Sequence, residues 1–126
     1  MTELPVSSLY VPLFGIFLMV ITLRVGMIRL RSNISLGDGG DPEFLKLIRG
    51  QANFIELVPI SLILLVLLEL SGAGNTMLHV LYLLLLVGRV SHYVQITGIV
   101  EPVLFRAGGM VLTFTAILGA SIALLL

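Results

Sequence analysis

Two long segments without any charged side chain constrain this chain most: residues 4–23 and residues 107–126. An α-helix of about 20 apolar residues crosses the hydrocarbon core of a bilayer, which is roughly 30 Å thick. Composition agrees, because 58% of the residues are hydrophobic and only 11% are charged, whereas soluble domains carry about 25% charged residues. The sequence therefore predicts an integral membrane protein whose first and last spans are these two segments.

Two further apolar runs lie between them, at residues 57–68 and 77–87. As helices they cover only about 18 Å and about 17 Å at 1.5 Å per residue, which is short of a bilayer. Each of these spans must therefore carry a polar half at membrane depth, and such residues are expected to face the bundle interior or a wet cavity. We predict an all-α, four-transmembrane-helix bundle in a single domain over residues 1–126, with helices at about 4–30, 43–70, 76–97 and 102–125.

Basic residues lie at or near the first and third connections, whereas the second connection, around residues 71–76, has none. The positive-inside rule then places the first and third connections in the cytoplasm. The second and third helices run antiparallel, so their polar halves meet at that same end. Net charge is zero and there is no cysteine, so nothing indicates nucleic acid, and disulfides and thiolate metal sites are excluded. We predict no metal site.

Charged side chains gather at the predicted cytoplasmic end of the bundle. The only acid clearly inside a span there is Glu56. Arginines bind carboxylates and phosphates well, so this excess of positive charge favours an anionic ligand. The five arginines expected at this level are Arg24, Arg29, Arg49, Arg89 and Arg106.

The second helix carries Arg49, Asn53 and Glu56, spaced four and three residues apart. At 100° per residue the three fall within an arc of about 60° on one helix face. A guanidinium, an amide and a carboxylate in line suit a zwitterionic ligand with a peptide group. Gln51 points roughly the opposite way and is available to another helix. On the third helix, Arg89 and His92 share a face by similar spacing.

Three motifs resemble the MAPEG family, the membrane-associated proteins of eicosanoid and glutathione metabolism. "PEFLKLIRGQANFIELVP" at 42–59 is similar to the family's second-helix signature, and "GRVSHYVQ" at 88–95 to the third helix of its prostaglandin synthase branch. "FRAGGM" at 105–110 begins the fourth helix with the expected arginine. The resemblance implies a homotrimer of four-helix bundles that binds glutathione between neighbouring subunits, near the cytoplasmic face.

The resemblance also implies roles for individual residues. Arg106 would be catalytic, lying beside the glutathione sulfur, because a nearby cation stabilises a thiolate whose parent thiol has a pKa of about 8.5. Gln51 would come from the neighbouring subunit or serve helix packing. The implied glutathione-binding set is Arg29, Arg49, Gln51, Asn53, Glu56, Arg89 and His92.

The function expected on this basis is a glutathione-dependent membrane transferase, with peroxidase activity as a second reaction. Glutathione would be the co-substrate, and its thiolate would attack a lipophilic electrophile arriving from the membrane lipid. The expected location is the bacterial inner membrane. Two alternatives remain: a non-catalytic glutathione- or lipid-binding relative, and a small four-helix multidrug transporter. Leu57 and Ile96, where family members often have tyrosine, favour the first, and the lack of an acid in residues 4–23 argues against the second.

Several other polar and small residues are interpreted structurally. Glu69, Asp38 and Asp41 are expected at solvated helix ends, and His79 at the outer interface. The pair Gly108–Gly109 on the fourth helix is expected to allow close helix packing.

Overall fold

A computed structural model describes residues 4–126, so positions 1–3 of the predicted domain lie outside the described residues. The chain forms α1 (Ser7–Ser32), α2 (Pro42–Leu70), α3 (Asn75–Ile96) and α4 (Leu104–Leu125). All four are long and apolar enough to cross a membrane, and the described residues contain no β-strand. The prediction of an all-α chain with four candidate spans is confirmed.

The connections bring neighbouring helices back antiparallel. Asn33, with φ 55°, ends α1 in the left-handed conformation, and its N–H bonds Arg29 O. Asp41 caps α2: its Oδ1 accepts hydrogen bonds from the backbone N–H groups of Glu43 at 2.9 Å and Phe44 at 3.3 Å. This is the usual role of an aspartate just before a helix. We call the end of the bundle where α2 and α4 begin the basic end, and the other the opposite end.

Helices α3 and α4 touch through their backbones. A Cβ added to Gly88 would lie 2.8 Å from Gly109 O, and one added to Gly109 would lie 2.5 Å from Gly88 O. Neither position has room for a side chain, so the predicted packing role is confirmed for Gly109. Gly108 has nothing within 4 Å in this chain, so within one chain the close approach comes from Gly109, and a packing role for Gly108 stays a prediction.

Helix α1 is the least buried of the four spans and α3 the most buried. Aromatic contacts join α1 to its neighbours: Phe17 meets Phe54 edge to face at 5.0 Å and Tyr93 at 5.6 Å. Tyr10 stacks on Tyr82 at 4.8 Å. Most of the surface left outside is apolar, with large hydrophobic side chains exposed along every helix. Such a surface suits contact with lipid or with another membrane helix.

Candidate functional site

The second-helix motif lies partly on the outer surface of the chain. Arg49 Nη2 and Glu56 Oε1 are 3.8 Å apart, and their side chains are 54% and 57% exposed. Within a single chain these two residues do not face the bundle interior, so the expected interior position or wet cavity stays a prediction for the assembled protein. The motif face points partly away from the bundle because α2 turns its apolar residues, among them Phe54 and Val58, into the core.

Asn53, the middle residue of the motif, points inward and meets Arg89. Arg89 Nη1 donates to Asn53 Oδ1, while its Nε donates to Thr113 Oγ1 at 2.8 Å and its Nη2 contacts Met110 Sδ at 3.2 Å. The guanidinium is buried, with 2% exposure, and within residues 4–126 no carboxylate pairs with it. Arg89 thus ties α2, α3 and α4 together, and it does so with neutral acceptors.

His92 lies one turn further along α3 and is also buried. It packs at the α3–α4 crossing, where a Cβ added to Gly109 would meet His92 N at 2.8 Å and His92 Cβ at 3.1 Å. The structure thus places both α3 residues of the predicted set, Arg89 and His92, inside the chain. Arg49 and Glu56 lie on its surface.

Three other polar residues of the basic end make contacts around α1. Gln51 Nε2 donates to Thr22 Oγ1 on α1 at 3.2 Å, in line with its predicted use by another helix. Arg29 Nη1 donates to Gly37 O at 2.8 Å, and its guanidinium lies 5.1 Å from the Phe44 ring centroid. Arg24 Nη1 donates to Tyr93 OH at 3.0 Å. These contacts fix the basic end of α1 and its following loop.

Arg106, the predicted catalytic residue, is exposed at the start of α4. It lines a cleft of about 370 Å³ between the start of α2, the end of α3 and the α3–α4 loop. Within this cleft Lys46 Nζ and Glu43 Oε1 are 2.7 Å apart, and Gln95 Nε2 donates to Glu101 O at 3.3 Å. The lining residues are Glu43, Lys46, Gln95, Ile96, Gly98, Val100, Glu101 and Arg106.

The predicted set therefore falls into separate groups within one chain. Arg49 pairs with Glu56, Asn53 pairs with Arg89, and Arg106 occupies a cleft that is not lined by Arg49, Asn53 or Glu56. Sequence reasoning missed Thr113, which accepts from Arg89, since nothing in the fourth-helix pattern distinguishes it from other small residues. It also missed the contact of Tyr93 with Arg24.

The position of Glu69 differs clearly from the sequence prediction. It was expected at a solvated helix end, yet it is 7% exposed. Its Oε1 accepts from Val6 N and its Oε2 from Ser7 N, both at 2.7 Å. A carboxylate thus satisfies the free N–H groups that begin α1, where the helix dipole also favours negative charge.

The contacts around Glu69 extend to α3. Ser7 Oγ and Tyr82 OH lie 2.7 Å apart, and Tyr10 OH lies 3.0 Å from Nδ1 of the half-buried His79. We call Ser7, Tyr10, Glu69, His79 and Tyr82 the opposite-end cluster. The sequence places these polar residues at the same end of three antiparallel helices, and that pattern could have predicted the cluster.

Four apolar helices with polar groups at depth define a multi-pass integral membrane protein. The chain matches the model of the MAPEG family over residues 7–126 and belongs to that family. It is also 36% identical over 88 residues to the inner membrane protein YecN of Escherichia coli strain K12, an alignment that covers 70% of this chain and 67% of the relative. The protein of that name from strain CFT073 matches equally. These matches and the four spans identify a bacterial inner membrane protein and confirm the predicted family and location.

Proposed function

We propose that the protein is a glutathione-dependent membrane transferase that conjugates the glutathione thiolate to lipophilic electrophiles. One observation carries the proposal: a half-exposed arginine–glutamate pair, Arg49 and Glu56, on the outer face of a membrane-spanning helix. Family membership supports the choice of ligand.

The depth of this pair makes it costly if it faces lipid. Helix α2 has 29 residues, a length of about 44 Å, and Glu56 lies close to its midpoint. A charged side chain at the centre of a bilayer costs about 3 kcal/mol on insertion scales. The α2 face therefore requires a polar cover. We propose that this cover is a neighbouring copy of the chain together with glutathione, in a homotrimer.

The chemistry of the face suits glutathione, which carries two carboxylates, one ammonium group and two peptide groups. Arg49 would bind a carboxylate, and Glu56 would bind the ammonium. Asn53 gives its oxygen to Arg89, which leaves its NH₂ group to donate to a peptide carbonyl. Arg89 would therefore act on the ligand through Asn53, whose amide it orients. His92, one turn further along α3, would support this side of the site from within the bundle.

The thiol, on the central cysteine of the tripeptide, requires a nearby cation of its own. Arg106 is exposed and, among the described residues, has no carboxylate within ion-pair distance. Its permanent charge would stabilise the thiolate, which is the nucleophilic form of the sulfur. No described contact joins Arg106 to Arg49, Asn53 or Glu56. The bound peptide would therefore link them, with its backbone at α2 and its sulfur at Arg106.

The test is thiolate formation, followed by ultraviolet absorbance as glutathione is added to detergent-purified protein near neutral pH. We expect a thiolate signal in the wild type that Arg106→Ala loses, while Arg31→Ala retains it. Arg31 is a matched control because it is an exposed arginine at the same end, outside the proposed site.

Two other results would count against the transferase proposal. Glutathione binding without a thiolate in either protein would favour the non-catalytic relative, a reading that Leu57 and Ile96 support because the tyrosines of other members are missing. No glutathione binding by calorimetry at millimolar ligand would overturn the proposal.

A further inference from the structure

We propose that the cleft lined by Glu43, Lys46, Gln95, Glu101 and Arg106 binds the headgroup of a phospholipid that carries a primary ammonium beside its phosphate. The cleft measures about 370 Å³ and lies at the basic end, which the positive-inside rule places at the cytoplasmic surface. This site differs from the α2 face that carries Arg49 and Glu56. It shares Arg106 with the proposed thiol chemistry, so the lipid phosphate and the glutathione thiolate would compete for that cation.

The charges of the cleft are balanced. Two carboxylates, Glu43 and Glu101, face two cations, Lys46 and Arg106. Lys46 is paired with Glu43 at 2.7 Å, whereas Arg106 and Glu101 have no ion-pair partner among the described residues. A ligand with one positive and one negative group complements this second pair. A purely anionic headgroup would satisfy Arg106 and be repelled by Glu101.

The positive group of the ligand must carry N–H donors. Gln95 Oε1 is shielded from solvent and has no hydrogen-bond partner among the described residues. Nε2 donates to Glu101 O at 3.3 Å, and the reverse amide placement would set two acceptors against each other. A buried acceptor without a donor is costly. A primary ammonium bound to the exposed Glu101 carboxylate would supply that donor once the Gln95 side chain turns Oε1 toward the cleft, whereas a trimethylammonium has no N–H.

The surroundings indicate a lipid rather than a free solute. The loop and first turn beside Arg106 expose large apolar side chains: Ile99 at 60%, Val103 at 59%, Leu104 at 78% and Phe105 at 46%. Such residues are favourable next to lipid hydrocarbon. A headgroup held by Arg106 and Glu101 would then leave its acyl chains along this apolar rim.

The experiment is native mass spectrometry of the purified protein in micelles with equal amounts of phosphatidylethanolamine, phosphatidylcholine and phosphatidylglycerol. We expect preferential retention of phosphatidylethanolamine. Glu101→Gln should reduce that preference by about threefold, the size expected for one partly exposed charge pair. Asp38→Asn is the matched control, because it removes an acid at the same end from outside the cleft and keeps an oxygen for its contact with Gly40 N. Thermal melting verifies that both variants stay folded.

Equal retention of the three lipids, or equal loss in Asp38→Asn and Glu101→Gln, would overturn the proposal. Soluble phosphoethanolamine added to the same micelles distinguishes a membrane lipid from a free solute with the same headgroup. We expect it not to displace the bound lipid at millimolar concentration. Displacement would assign the cleft to a free zwitterion. Glutathione binding of Glu101→Gln is measured in parallel. If that variant loses glutathione together with the lipid, the cleft belongs to the transferase site and the lipid proposal fails.

Discussion

The two ends of the bundle differ in the burial and hydrogen bonding of their polar side chains. In the opposite-end cluster, the Glu69 carboxylate is buried and each oxygen accepts a backbone N–H at 2.7 Å. At the basic end, Arg49 and Glu56 are more than half exposed and only 3.8 Å apart within one helix. A polar group whose bonding capacity is used within the chain stabilises the fold, while one with spare capacity is available to a ligand or a partner.

Arg89 shows that position along the bundle does not decide this distinction. It lies in the polar half of α3, in the region of the predicted ligand site, but it bonds to Asn53 and Thr113 and is 2% exposed. Its role resembles that of Glu69 more than that of Arg49. The boundary between stabilising and ligand-binding residues therefore runs through the basic end itself, between the interior and the α2 face.

The largest expected effect is on stability at the opposite end. Glu69→Ala leaves Val6 N and Ser7 N without acceptors, and we expect the free energy of unfolding in mixed detergent to fall by roughly 3 kcal/mol, since each lost bond to a charged group is worth about 1.5 kcal/mol or more. Glu101→Ala, an exposed acid, is the control and should change it little. Equal stability of the two variants would remove the contrast between the two ends.

The next effect is on binding and should leave stability unchanged. Arg49→Met removes the charge-assisted bond that we propose between Arg49 and a glutathione carboxylate, and we expect affinity by calorimetry to fall about thirtyfold, or about 2 kcal/mol. Unfolding should stay within about 0.5 kcal/mol of wild type, because the Arg49–Glu56 pair is exposed. A large loss of stability with unchanged affinity would assign Arg49 to the fold.

A smaller effect is expected within the opposite-end cluster. Tyr82→Phe removes the hydroxyl that lies 2.7 Å from Ser7 Oγ but keeps the ring that stacks on Tyr10. We expect a loss of about 1 kcal/mol in the free energy of unfolding, typical of one buried neutral hydrogen bond. Ser7→Ala combined with Tyr82→Phe should cost little more than either change alone, as measured by a double-mutant cycle.

The smallest effect tests the surface of the basic end. Lys46→Met breaks the pair with Glu43 at 2.7 Å, whose side chains are 47% and 73% exposed. Exposed pairs of this kind contribute at most about 1 kcal/mol, so we expect a change below about 0.5 kcal/mol in the same unfolding assay. A loss as large as that of Glu69→Ala would mean that the basic end is held together as tightly as the opposite end.

The sequence by itself determined the class and the elements of this protein. Hydropathy and charge locate the four helices, because apolar length and the absence of charge are local properties of a span. The spacing of Arg49, Asn53 and Glu56 placed them on one helical arc, since helical period is local too. The family resemblance, carried by short motifs, needed no tertiary structure either.

Tertiary structure alone decided which polar groups are used inside the chain. Glu69 meets Val6 and Ser7 across 63 and 62 positions of sequence, and Arg89 meets Asn53 across 36. Nothing near Glu69 in sequence separates a solvated helix end from a buried cap, and nothing near Arg89 separates an internal tie from a ligand arginine. Burial depends on which side chains the antiparallel packing brings opposite each other, and the contact of Gly88 with Gly109 helps to set that packing.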